Sequence, residues 1–372
     1  MKIYLPQSVW DAALERVNWL FDEFDNIVVN ISGGKDSTIV FNLALMVAEA
    51  RGRLPLHVMF IDQEAEWNAT IDHVRETLGD PRVSPHWLQV PIRIFNATSP
   101  FDPWLYCWEP GAAWMREKEP DSIHDNTFGT DRFAEMFKAY TNALFDGASY
   151  AAIAGVRAEE SPARRLGLTT YEVYKGVTWG RVDNKKRLQY TFYPIYDWRV
   201  SDVWKAIHDN GWRYCRLYDA LYQYGVAPRD MRVSNIHHET AVKNLFLLQE
   251  IEPDTWDRAT ARLQGINTAG QLKWSMFKPA ELPPMFRDWL EYRDHLLDNL
   301  IIDSDIREKM RRRFASEDDN YRHNPKVFDD LVKTEIACIL VNDYHGTKLS
   351  TFHAVKLGYS RNRGKKSGIK YD

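Results

Sequence analysis

The run Asn26-Ile27-Val28-Val29-Asn30-Ile31 leads directly into Ser32-Gly33-Gly34-Lys35-Asp36-Ser37, and this junction decides the fold. The apolar, β-branched residues read as a buried strand. Two glycines then permit a tight turn that aims backbone N–H groups at one spot. Beyond the turn, Val40, Leu43, Ala44, Val47 and Ala48 recur at helical spacing. A helix starting there adds its positive end, which favours anions. Lys35 supplies a cation, and Ser32 and Ser37 supply hydroxyl donors. Asp36 suits the first helical turn, where a carboxylate meets N–H groups. Gly52 and Pro55 stop the helix, and the residues from His57 to Asp62 read as a second strand. The result is a β-α-β start with its glycine loop at the first crossover, where doubly wound sheets bind ligands. The chemistry this arrangement points to is phosphate binding.

The loop is neither G-x-x-x-x-G-K-[ST] nor G-x-G-x-x-G. As SGGKDS it resembles the PP-loop of the adenine-nucleotide alpha-hydrolase superfamily. That group includes ATP pyrophosphatases, the ATP sulfurylase small subunit and phosphoadenosine phosphosulfate (PAPS) reductases. Ala151-Ala152-Ile153-Ala154 reads as another strand and runs into Gly155, Arg157, Ser161 and Arg164. This is similar to the G-x-R-x-x-x-S-x-x-R segment of the PAPS reductase and sulfurylase branch, and arginine forks suit phosphate or sulfate. Tyr193-Pro194-Ile195-Tyr196-Asp197-Trp198, followed by Ser201-Asp202-Val203-Trp204, resembles that branch's strand end and capped helix. Three further stretches resemble a PAPS-reductase-like subfamily with an extra C-terminal domain. They begin at Arg229, Ile251 and Arg262.

The resemblance implies an α/β fold: a doubly wound, mostly parallel sheet of the adenine nucleotide alpha-hydrolase type, with a mainly helical C-terminal domain. It implies an enzyme acting on ATP or PAPS, with Mg²⁺ accompanying ATP. An acceptor oxygen would attack the α-phosphorus and pyrophosphate would leave, a reaction that needs positioned cations and donors. Lys35 and Arg157 are the expected catalytic residues. Ser32, Gly33, Gly34, Lys35, Asp36, Ser37, Asp62, Gly155, Arg157, Ser161 and Arg164 are the expected nucleotide contacts. Ser32 and Ser37 fall to the β- and γ-phosphates, Asp62 to the ribose or a metal-bound water, and the stretch from Gln63 to Thr70 to the vicinity of the adenine. The subfamily resemblance also implies a ParB-like protein partner.

The departure from the reductases is a missing nucleophile. Their C-terminal E-C-G-[IL]-H motif is absent, and Cys107, Cys215 and Cys338 form no CxxC pair. Cys338 lies in an apolar run and Cys107 lies among aromatics. Cys215 stands between Arg213 and Arg216, cations that lower a thiol pKa where they approach it, but the favoured reading is a buried, inert thiol. Two other functions therefore stand beside adenylation: a PAPS reductase or sulfurtransferase with a displaced cysteine, and a nucleotide-sensing adaptor for a ParB-like protein or DNA.

The 372 residues, 44% hydrophobic and 27% charged, suit two domains. A net charge of −4 argues against a wholly basic nucleic-acid binder. No signal pattern or membrane-length apolar run is apparent, and three unpatterned cysteines suit a reducing cytoplasm. The expected organisation is an N-terminal amphipathic helix within 1–25 and a nucleotide domain over 26–215. An aromatic insertion at about 96–148 carries Trp104, Trp108 and Trp114. A mainly helical domain over 216–356 and a basic tail over 357–372 complete the chain. Ala241, Leu245 and Leu248 share one helical face, as do Trp289, Tyr292, Leu296 and Leu300. Trp87-Leu88-Gln89-Val90 reads as a strand. The tail and the stretch from Arg307 to Arg313 are locally basic and offer nucleic acid a contact. His237-His238-Glu239 does not read as a metal site, because adjacent histidines on a helix project to different faces.

Overall fold

The computed structural model describes residues 5–99, 104–169, 171–228, 230–233, 235–238, 241, 245–269, 277–344, 346, 349 and 352. They divide into two compact units. The first holds the residues up to 94, 106–235 and 251–255, and the second holds 95–105, 236–250 and the residues from 256 onward.

In the first unit, α1 (Val9–Glu23) starts at Ser8, whose hydroxyl accepts the Asp11 N–H, and it buries Ala13, Val17, Leu20 and Phe21. Then come β1 (Ile27–Asn30), α2 (Lys35–Ala50), β2 (Leu56–Ile61), α3 (Asn68–Leu78) and β3 (Val83–Leu88). After β4 (Ile92–Phe95) and β5 (Trp104–Cys107), a separate two-stranded pair, come α4 (Phe133–Leu144), β6 (Tyr150–Ala154) and α5 (Pro162–Thr169). The unit continues with β7 (Gly180–Asn184), β8 (Gln189–Phe192), α6 (Val200–Asp209) and α7 (Leu217–Gln223).

Six strands form one sheet in the order β3-β2-β1-β6-β8-β7. Every neighbouring pair is parallel except β7 with β8. The chain steps outward from β1 to β2 and β3, then returns to the other side of β1 for β6. Strand order thus reverses at β1 and β6, and the crevice beyond their carboxyl ends is where open α/β sheets take ligands. Ile27, Val29, Val58, Phe60, Ala151 and Ile153 join one core with side chains from α1, α2 and α6. Val28, Met59 and Ala152 alternate to the other face and are also buried. Burial on both faces explains why these strands read as continuous apolar runs.

The strand expected at Trp87–Val90 lies earlier in the chain. It runs Val83–Leu88 and pairs with β2 from Leu56↔Val83 to Ile61↔Leu88. Ser84, Pro85 and His86 hide it in the sequence. His86 is tolerated because its Nε2 lies 2.9 Å from His57 Nδ1 and its Nδ1 lies 2.7 Å from the Tyr140 hydroxyl.

After α7 the chain is mostly helical, as the 3.6-residue periodicity implies: α8 (Leu245–Ile251), α9 (Pro253–Arg262), α10 (Ile266–Ala269), α11 (Trp289–Leu300), α12 (Ser304–Tyr321) and α13 (Pro325–Leu340). Leu245 and Leu248 are both buried. On α11, however, the buried residues are Arg293 and Leu297, and the expected Trp289, Tyr292, Leu296 and Leu300 lie half-buried beside them. A buried ion cluster causes the difference. Arg293 Nη1 reaches Asp318 at 2.9 Å and Glu335 at 2.7 Å, and Nη2 reaches Asp294 at 2.9 Å.

Three carboxylates around one guanidinium leave negative charge in excess. Burial, with Asp318 opposing Arg293, pushes the Glu335 carboxyl up to about 8. A carboxyl raised on folding stabilises the fold fully below its unfolded value and loses that contribution as pH rises through the folded value. Between pH 6 and 9 the chain is therefore expected to lose on the order of 2 kcal/mol more stability than Glu335→Gln loses. Urea midpoints of the two proteins across that range check this.

Candidate functional site

Loop 32–34 joins β1 to α2 at the reversal point of the sheet. Gly33 has φ +70°, and a Cβ there would lie 2.5 Å from Thr70 Cγ2, so the turn needs glycine on both counts. Ser37 Oγ donates to Gly34 O (2.8 Å), receives the Ser32 N–H (3.2 Å) and lies 3.3 Å from Ser32 Oγ. The two serines thus brace the turn on one another. Tyr218 Oη, from α7, accepts the Lys35 N–H at 3.0 Å. Among the described residues, the N–H groups of Gly34, Asp36 and Ser37 make no hydrogen bond. This open helix start is a ready anion seat.

The segment after β6 meets this loop. A Cβ on Gly155 would lie 2.5 Å from the Asp36 carbonyl atoms and 2.7 Å from Ser37 N. Arg157 is 4% exposed, and its Nε contacts Asp36 Oδ1 at 2.5 Å. Lys35 Nζ contacts Asp36 Oδ2 at 3.1 Å and lies 5.4 Å from the Tyr218 ring centroid. The Asp36 carboxylate, expected to meet helical N–H groups, instead gathers two cations beside them. Arg157 is held from behind as well. Its Nη1 contacts Glu159, which also accepts the Val200 N–H at 2.8 Å, and its own N–H donates to Glu160. Tyr196 O accepts the Ala158 N–H. The Tyr193–Trp198 segment is tied to α1, with Arg16 forking onto Asp197 and Trp198 Nε1 donating to Val9 O.

The other expected contacts separate. Arg164 is exposed and paired with Glu160, and Ser161 Oγ accepts the Arg164 N–H at the start of α5. Neither is brought to Asp36. Asp62 is buried among protein partners. It is 0% exposed; its Oδ2 accepts from Trp87 Nε1 (2.8 Å), Gln89 Nε2 (3.0 Å) and Arg116, and its Oδ1 accepts the Glu64 N–H (2.9 Å). Those partners occupy the carboxylate within this unit. Part of the aromatic insertion is bound here. Trp108 Nε1 donates to Asp62 O, and Glu64 accepts the N–H groups of Trp108 and Met115. Two residues went unnoticed in the sequence. Tyr218 is one. The other is Glu252, whose carboxylate accepts the N–H groups of Asn68 and Ala69 and so caps α3.

Cys215 follows the inert reading of its segment. It is fully buried, and burial pushes its thiol up to about 12. Arg213 turns instead toward Glu76, at 3.7 Å. Cys107 and Cys338 are equally buried, so none of the three presents a thiolate. The native protein is expected to resist iodoacetamide at pH 8 and to take up three equivalents in denaturant, measured by intact mass.

The basic stretch on α12 is engaged within its own unit. Arg307 donates to Ile301 O, Arg311 pairs with Asp298, Arg312 with Glu308, and Arg313 donates to Gly346 O. The basic tail 357–372 lies outside the described residues, as do Arg229, Ser234 and Glu239; His237 is buried with Nδ1 3.0 Å from Phe95 O. Among the described residues no helix is long and apolar enough to cross a membrane.

Known proteins match this arrangement. The phosphoadenosine phosphosulfate reductase domain family matches residues 105–224, which include Gly155, Arg157 and Tyr218 but not the Ser32–Ser37 loop. A domain of unknown function, DUF3440, matches residues 225–357. The uncharacterized protein YbdN of Escherichia coli (strain K12) is 30% identical over 315 residues, or 80% of this chain and 77% of YbdN. The chain belongs to the family of YbdN. In this chain a PAPS reductase domain precedes a DUF3440 domain. Among solved structures, PAPS reductase from Candida auris in a phosphate complex aligns at TM-score 0.36 and 15% identity, covering 64% of this chain and 99% of that one. The FMN adenylyltransferase of Candida glabrata aligns at TM-score 0.37 and 14% identity over 58% of this chain, which spans 62% of its length. Scores of this size carry no argument, and the fold rests on the strand order.

Proposed function

We propose that the first unit binds ATP·Mg²⁺ at the crevice beyond β1 and β6 and cleaves it between the α- and β-phosphates, passing the adenylyl group to an acceptor. Mg²⁺ enters with the nucleotide as part of the substrate. The observation that supports this reading is the Asp36 carboxylate, which holds Lys35 and Arg157 beside the open N–H groups of the α2 start. One carboxylate takes at most one of the three ammonium hydrogens of Lys35, so the others remain to meet phosphate oxygens. Charge that develops on the departing pyrophosphate would find donors already in place, which is the term most worth preorganising in phosphoryl chemistry.

The reductase reading loses support from the buried thiols. Phosphorus NMR of the protein with ATP and Mg²⁺ tests the proposal. AMP and pyrophosphate are expected, and Lys35→Ala should slow their release by about 10²-fold or more. ATP binding without any AMP would favour a nucleotide sensor. Sulfite release from PAPS would instead restore sulfonucleotide chemistry.

A further inference from the structure

The loop between β2 and α3 carries a carboxyl that the phosphate site leaves unused. Glu66 is 5% exposed, and among the described residues its carboxyl makes no hydrogen bond or ion pair. The groups that face it are Asp62, Arg116 and Cys215. Arg116 is also incompletely engaged. Nη2 pairs with Asp62, the guanidinium lies 5.0 Å from the Trp108 ring centroid and Nη1 lies 3.9 Å from Glu119, an ion pair too long to be a hydrogen bond, while the buried Nε has no hydrogen-bond partner. Glu66 and Arg116 influence one another, yet they lie beyond ion-pairing distance.

A buried polar group left without a partner is costly, charged or neutral. A ligand group that donates to Glu66 and accepts from Arg116 would satisfy both. The pair also lies near the phosphate loop. Thr70, on α3, packs against Gly33, and its hydroxyl lies 4.0 Å from Cys215 Sγ. The site is tightly held, since Glu64 (φ +63°) and Trp108 (φ +57°) keep positive φ angles and are linked by the Trp108 N–H to the Glu64 carboxylate.

We infer that Glu66 and Arg116 form the subsite for the attacking substrate, a hydroxyl- or amine-bearing nucleophile with a second oxygen or nitrogen acceptor beside it. This inference rests on the adenylation reading above. Arg116 holds the acceptor atom, and Glu66 takes the proton. The nucleophile's lone pair forms a bond to the α-phosphorus, and the bond from that phosphorus to the bridging oxygen breaks. Pyrophosphate leaves with the electron pair. Burial and the neighbouring Asp62, against Arg116, push the Glu66 carboxyl up to about 8, so the ionised base becomes abundant as pH rises through that value.

The test uses the full chain with ATP, Mg²⁺ and hydroxylamine as the probe nucleophile, following AMP-containing product from pH 6 to 10. The native protein should show a rate that climbs to a plateau above about pH 8. Glu66→Gln should lose about 10²-fold and the rising limb, while calorimetric ATP affinity stays within about threefold. Arg116→Gln should raise the hydroxylamine concentration needed for half-maximal rate and leave ATP affinity alone. An unchanged rate and pH profile in Glu66→Gln would overturn the inference. A native protein that fails to bind ATP, or binds it yet forms no product with either water or hydroxylamine, would instead sink the adenylation reading itself and the inference with it. Should Glu66→Gln not fold, Arg116→Gln carries the same decision through its hydroxylamine dependence.

Discussion

Arg157→Met is expected to cut AMP release from ATP by about 10³-fold and to destabilise the protein by about 3–5 kcal/mol. Both effects trace to one contact. Arg157 and Asp36 are 4% and 8% exposed and meet at 2.5 Å. Removing the guanidinium leaves the buried carboxylate with Lys35 alone and removes a donor from the phosphate seat. A double replacement separates the two losses. Asp36→Asn with Arg157→Met removes both charges and should recover part of the stability, because an absent pair costs less than a broken one, although Lys35 then loses its carboxylate. Activity should stay low, since no cation has returned. Urea midpoints and AMP release for the two single variants and the double variant check this. Recovery of turnover in the double variant would show that Arg157 acts only as a counter-ion.

Gly155→Ala should be nearly as damaging, for a different reason. Its Cβ would come within 2.5 Å of the Asp36 carbonyl carbon and oxygen. These are backbone atoms at the start of α2, and no side chain can swing aside to make room. Either the segment after β6 or the first turn of α2 must move, and the Arg157–Asp36 geometry must change with it. We expect a loss of about 1–3 kcal/mol, typical of overpacking, and at least tenfold weaker ATP binding. Gly167→Ala provides the control, because a Cβ there meets nothing within 4 Å. Calorimetry and urea unfolding on both variants give the comparison.

The parts of this molecule that were legible in the sequence are those fixed by neighbours in the chain. The strand, glycine turn and helix around Ser32–Ser37 are specified by apolar period and by two glycines. The β6 run and its Gly155–Arg157 turn were readable for the same reason. Asp62 reads as a ligand contact from its position at a strand end, but its partners Trp87, Gln89 and Arg116 arrive from two later segments. Tyr218 and Glu252 had no local signal, since each is one side chain delivered by a distant turn to a backbone N–H. Cys215 reads as buried despite its flanking arginines, because adjacency in the chain does not place a charge near a thiol. Arg293 reads as a surface residue until Asp318 and Glu335 surround it.

The most direct test of the central claim is a crystal structure of the protein with Mg²⁺ and an ATP analogue whose α–β bridge is a methylene group. The account predicts phosphate oxygens within hydrogen-bond reach of the Gly34, Asp36 and Ser37 N–H groups, with Lys35 and Arg157 on the same triphosphate. A triphosphate bound elsewhere, with the α2 start still open, would contradict it.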